Sequence, residues 1–303
     1  MGLPVAFVLV WSSAYVAGSL ATALIAPLTV TLWRFAVAAA VLAVIAWLRR
    51  ERWPRGARAI GGAVLTGVLL FALQFASLYI ALAAHMPVAT TALIACSAPL
   101  VVAAASAVLG WERLAPRQWL GVALGVLGVV ITLADRLGRP PSLAALGWTL
   151  LGLTGLVAGT LLQGRLRIPA GPAALASVEL AASALMLAAC APFAGSLRIP
   201  LSAAALLAFG YVAIVAGVGA PLLFFALIQQ RGATRASSLL FLVPSVTALF
   251  ARVVLGAPVG LTAFVGFVVA GGGLWLARGM SSDQPRPRAS QAWLRAQTRN
   301  ARA

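Results

Sequence analysis

The sequence predicts an all-α integral membrane protein with ten transmembrane helices, arranged as two related halves of five. Three observations carry that expectation: long unbroken apolar runs, arginines gathered on alternate connections, and a self-match at a shift of 145 residues.

The apolar runs come first. Hydrophobic residues make up 62% of the 303 residues and charged ones only 9%, against about 25% charged in soluble domains. Mean hydropathy is +1.03. The runs are continuous rather than alternating, and many approach the roughly 20 residues that cross a bilayer as helix. They place spans at about 4–24, 28–48, 59–82, 86–109, 118–134, 143–163, 172–193, 203–227, 235–256 and 258–277. Proline or glycine punctuates the connections, at Pro27, Pro54, Pro116, Pro140, Pro141, Gly171, Pro172, Pro200 and Pro258. The first run lacks a basic leader and a clear cleavage site, so it reads as a retained helix and not a signal peptide.

The net charge of +17 comes entirely from arginine. No loop is long enough to fold a basic groove, so nucleic acid is not an expected partner. Topology explains the arginines better. With the N-terminus in the cytoplasm, one side collects 17 of them, five in the polar tail 279–303, and the other side collects Arg136, Arg139 and Arg198. That is the positive-inside bias. It places both termini in the cytoplasm, and the tail is expected to be disordered or to lie on anionic lipid. Arg34 and Arg252 are left inside spans.

The 145-residue shift brings Pro99 onto Pro244, Gly121 onto Gly266, Gly128 onto Gly273 and Ala81–Leu82 onto Ala226–Leu227. Five spans is an odd number. Two such halves in one chain therefore cross the membrane in opposite directions, an inverted-topology repeat of the kind secondary transporters use. The halves are 4–134 and 143–278. Pro99 and Pro244 fall near the middle of spans 4 and 9, where each frees a carbonyl and can hinge its helix. The shift also carries Arg34, the internal cation of span 2, onto Glu179, the internal acid of span 7. A charge at bilayer depth costs about 2.5–3.5 kcal/mol on insertion scales. Arg34 and Glu179 either snorkel to opposite interfaces or meet each other or a substrate.

The stretch PLVVAAASAVLGWERLAPRQWLGVALGVLGVVI (99–131) resembles the end of an EamA domain of the drug/metabolite transporter superfamily. WSSAYVAG (11–18) and LWRF (32–35) resemble that family's first and second spans. The resemblance covers about residues 4–278 as two EamA units. It implies a basket of ten helices around a cavity lined by spans 1, 3, 4, 6, 8 and 9, and transport of small metabolites, often export of amino acids or similar solutes. One position departs from the family pattern: Ala257 stands where a match to Glu112 is common.

Within such a cavity the expected substrate-binding residues are Trp11, Ser12 and Tyr15 in span 1, Gln74, Ser77 and Tyr79 in span 3, Thr160 and Gln163 in span 6, Tyr211 in span 8 and Ser237 in span 9. Thr90, Thr91, Ser97, Ser245 and Thr247 are further polar groups in spans 4 and 9. An amphipathic solute calls for aromatic walls and a few polar groups, although each hydroxyl could instead bond its own helix or a neighbour. His85 reads as a solvated turn residue, and Cys96 and Cys190 as small buried hydrophobes.

The sequence holds no P-loop, no HExxH and no paired membrane aspartates, so no enzyme class is expected, nor any metal or cofactor. The expected partners are a small-molecule substrate and membrane lipid, with the chain a monomer or a homodimer. A passive pore or a lipid translocator is the rival reading.

Overall fold

The computed structural model describes residues 2–134, 141–190, 197–231, 239–258 and 260–278. Among them there are helices and no strands. In chain order these are α1 (Gly2–Leu24), α2 (Pro27–Leu48), α3 (Ala57–Ala83), α4 (Val88–Val108), α5 (Pro116–Ala134), α6 (Leu143–Leu166), α7 (Pro172–Ala189), α8 (Ala203–Gly210, Tyr211–Gly219 and Ala220–Arg231), α9 (Leu239–Phe241 and Leu242–Leu255) and α10 (Leu261–Arg278). Eight of them, α1 to α8, are long and apolar enough to cross a membrane. The two at the end are shorter apolar helices, Leu242–Leu255 and Leu261–Ala277.

Local sequence explains where helices start and stop. Proline occupies the first turn of α2 and α7, where its missing N–H costs nothing. Ser142 and Ser202 cap α6 and α8 by accepting from Ala145 and Ala205 N–H. The ends of α2, α3 and α4 close in one way, with a left-handed residue (Arg50, His85, Gly110) just past the last turn. His85 is exposed there. Glu51 follows the α2 turn and caps another helix: its Oε2 accepts from Ala173 and Ala174 N–H at 2.8 and 3.0 Å, at the positive end of α7.

The packing obeys the 145-residue relation. α2 packs on α7, α4 on α9 and α5 on α10, so each pairs with its own counterpart. Three further contacts between the halves each have a matched counterpart. α1 with α8 mirrors α6 with α3, α1 with α9 mirrors α6 with α4, and α2 with α8 mirrors α7 with α3. The α5–α10 seam shows the sense of the pairing. A Cβ on Gly121 would lie 2.5 Å from the Gly273 carbonyl, and one on Gly128 would lie 2.5 Å from the Gly266 carbonyl. The residue number rises along one helix as it falls along the other, so the two run antiparallel. Without lipid-excluding water to drive association, such close backbone contact between small residues holds membrane helices together.

Four helices are irregular, again in matched places. The middle of α3 (Val68–Leu73) and of α8 (Tyr211–Gly219) is π-helix, a form often found at functional sites. Helix α4 breaks at Ser97, between Val88–Cys96 and Ala98–Val108. Pro99 is the second residue after that break. The sequence placed Pro244 mid-span, but it is the third residue of the α-helical part of α9, just after the 3-10 turn Leu239–Phe241. Each proline therefore lies in the first turn of its helical segment, where its missing N–H removes no hydrogen bond of that segment.

Candidate functional site

The two intramembrane charges are both buried, Arg34 at 8% exposure and Glu179 at 2%, so neither snorkels. They also do not meet. Arg34 bonds Tyr79 and Glu179 bonds Thr66, both on α3, 13 residues apart. That is roughly 20 Å along the helix at 1.5 Å per residue.

Glu179 is well satisfied. Its Oε1 accepts from Thr66 Oγ1 at 2.8 Å and from Gln163 Nε2 at 2.9 Å. Ser183 donates to the carbonyls of Gly67 and Glu179 at 2.8 and 2.7 Å. Gly67 lets α3 approach this closely, since a Cβ there would fall 2.6 Å from Glu179 Cα. Gln163, expected at a substrate, holds this carboxyl instead. Thr66 and Ser183 were not singled out by the sequence. Only the depth of Thr66 in an apolar run could have marked it.

Arg34 is served differently. Its Nη1 donates to Tyr79 Oη at 2.5 Å. Its Cζ lies 4.3 Å from the Phe75 ring centroid, 5.6 Å from Phe35 and 5.8 Å from Tyr79. Each such cation–π contact contributes about 0.5–2 kcal/mol. The Nε–H has no partner, and a buried donor left unmade costs about 1–3 kcal/mol. Gly217, in the π segment of α8, lies against that side, where a Cβ would sit 3.6 Å from Nε. Tyr15 of α1 packs against the core cluster that holds Tyr79. Tyr79 is itself buried, over Gly18 of α1, where a Cβ would meet its ring at 2.8 Å.

The other expected residues scatter. Trp11 packs at a tilt against Phe7 and Phe224, ring centroids 5.2 and 5.9 Å away. Ser12 is fully buried and ties α1 to α9: its Oγ donates to the Val243 carbonyl, and its own carbonyl accepts from Thr247, both at 3.3 Å. Beside it Ser13, which the sequence did not single out, shares a 2.6 Å hydroxyl pair with Tyr211 of α8. Gln74 and Thr91 line a cleft of about 250 Å³ between α3, α4 and α6. Ser77 is buried facing Gly152 of α6. Thr160 is exposed and donates to its own helix, at the Leu156 carbonyl. Ser237 lies outside the described residues. Pro244 lines a second cleft of about 310 Å³, with Cys96, Ser97 and Phe267 around it. Pro99 is exposed.

Buried aromatic and polar groups thus converge where α1, α2, α3 and α8 meet, in a chain whose halves pack as counterparts. A model of the EamA-like transporter family matches residues 2–134 and again 142–279. The chain belongs to the EamA-like transporter family. This EamA protein is therefore a multi-pass membrane protein of a transporter family. It shares its fold with a crystal structure described only as "Crystal structure of protein", at 20% identity and a TM-score of 0.63, over 91% of this chain and 95% of that one. A search against curated proteins returned no match.

Proposed function

We propose that this EamA protein is a secondary transporter of small metabolites, an exporter of amino acids or similar amphipathic solutes that works by alternating access. It acts as a transporter and not as an enzyme. In this reading α1 to α10 all span a bacterial inner membrane as two inverted five-helix repeats, with both termini cytoplasmic. The observation that supports it best is the matched pair of irregular helices. The π segments of α3 and α8, and the break before Pro99 and the 3-10 turn before Pro244, sit at equivalent places in the two halves. Two equivalent weak points can open one face while the other closes. Trp11, Tyr15, Gln74, Tyr79 and Tyr211 are the residues of the binding region on this reading, with Arg34 as its charge.

Uniport and proton coupling are the two modes, and one residue separates them. Glu179 is the carboxyl buried within the described spans, so a coupled proton would ride on it. The test is a panel of labelled amino acids and small amphipathic metabolites in proteoliposomes, with and without a pH gradient. Saturable flux that a gradient drives uphill supports coupled transport, and saturable flux only downhill supports uniport. Flux that never saturates sinks the transporter reading in favour of a pore.

A further inference from the structure

We infer that Arg34 is the counter-ion for a carboxylate on the transported solute, which makes the substrate class a small monocarboxylate with an apolar or aromatic body. This rests on the transporter reading above and names the substrate class within it. Among the described residues Arg34 is the one buried basic side chain, and no carboxylate there neutralises it. The chain has five acids. Glu51 caps α7, Glu112 is exposed beyond α4, and Glu179 is held by Thr66 and Gln163. Asp135 and Asp283 lie outside the described residues.

Tyr79 offers Arg34 a hydroxyl oxygen and not a carboxylate, and the Phe75 ring centroid lies 4.3 Å from its Cζ. The Nε–H is buried and has no partner. A carboxylate binds arginine by a fork of two parallel N–H groups, and Nε with a neighbouring Nη presents one such fork. Nε lies against Gly217, a position with no side chain, on the π segment of α8. Movement of α8 at that segment would uncover the fork. One arginine balances one negative charge. Phe35, Phe75 and Tyr79 suit an apolar body, and a phosphate monoester, nearer two charges, would want a second cation.

The test uses the full chain in proteoliposomes and matched probes: L-leucine against L-leucinamide, 3-phenylpropionate against 3-phenylpropionamide, and phenyl phosphate as the dianion. Saturable flux of the acids, with the amides worse by about tenfold or more, is the expected result. Arg34→Gln should abolish that preference, and Arg34→Lys, which keeps the charge but not the fork, should not restore it. The exposed Arg252→Gln should keep it. Where Arg34→Gln fails to fold, Gly217→Val, which fills the space before Nε and keeps the charge, carries the same comparison and should lose the preference. Amides carried as well as acids, a folded Arg34→Gln that still prefers acids, or phenyl phosphate carried best would each overturn the assignment while leaving a transporter. No saturable flux of any probe would overturn the transporter reading and this inference with it.

Discussion

Arg34 and Glu179 occupy equivalent positions in the two repeats, yet the protein treats them oppositely. Glu179 receives two hydrogen bonds on one oxygen, and its backbone is pressed against Gly67. Arg34 makes one hydrogen bond, to Tyr79, rests against aromatic rings, and has its buried Nε–H without a partner. The contact at Glu179 is backbone against backbone, and the contact at Arg34 is the end of a side chain against Gly217. Two sites related by symmetry have diverged, one into a tightly packed joint and the other into a site left incomplete. A buried charge is stabilised either by partners within the chain or by a ligand; Glu179 has the first, and the carboxylate inferred at Arg34 would be the second.

The comparison can be broken most forcefully at Gly67. A valine there must push α3 away from α7, and Gly67→Val is expected to cost about 3 kcal/mol or more, as overpacking against rigid backbone does. Thermal unfolding in detergent reads it. Wild-type stability would mean that Glu179 is not in a tight joint.

Tyr79→Phe comes next. It removes the hydrogen bond of a buried cation, with an expected loss of about 1.5–3 kcal/mol and weaker flux of the preferred solute. Unchanged melting and flux would show that the aromatic rings alone hold Arg34.

Glu179→Gln keeps an oxygen for Thr66 and Gln163, so it should cost about 1 kcal/mol. The sharper readout is the pH response of flux, which disappears if Glu179 carries the proton. An unchanged pH response removes Glu179 from coupling and leaves it a joint only.

Gly217→Ala adds a methyl group in ordinary contact with Arg34, 3.6 Å from Nε, and 3.1 Å from the Val212 carbonyl of its own helix, which must give by a few tenths of an ångström. It should alter stability by less than about 1 kcal/mol, in contrast to Gly67→Val. A large loss would mean the Arg34 side is as tightly packed as its counterpart. The smallest effect belongs to Thr160→Ala, on an exposed hydroxyl bonded to its own helix. It should leave flux unchanged and stability within about 0.5 kcal/mol.

What the sequence determined by itself follows from local chemistry. Apolar length marked the helices, because lipid requires each backbone group to be satisfied within its own segment. The shift of 145 residues paired Arg34 with Glu179 and Gly121 and Gly128 with Gly266 and Gly273 before any contact was visible. The tertiary structure decided which groups on different helices meet, because that depends on rotation and depth that composition does not encode. Ser12 looked like a cavity residue and is a tie to Val243. Gln163 looked like a ligand for substrate and is a ligand for Glu179. Ser13 and Thr66 looked like any other hydroxyl in an apolar run, and each reaches across to a partner more than 100 positions away, Tyr211 and Glu179. The same holds for Arg34. Sequence shows that it lies inside an apolar span, but only the arrangement of α2, α3 and α8 shows that it is buried, that the chain supplies a tyrosine and aromatic rings, and that its Nε–H is left unmatched.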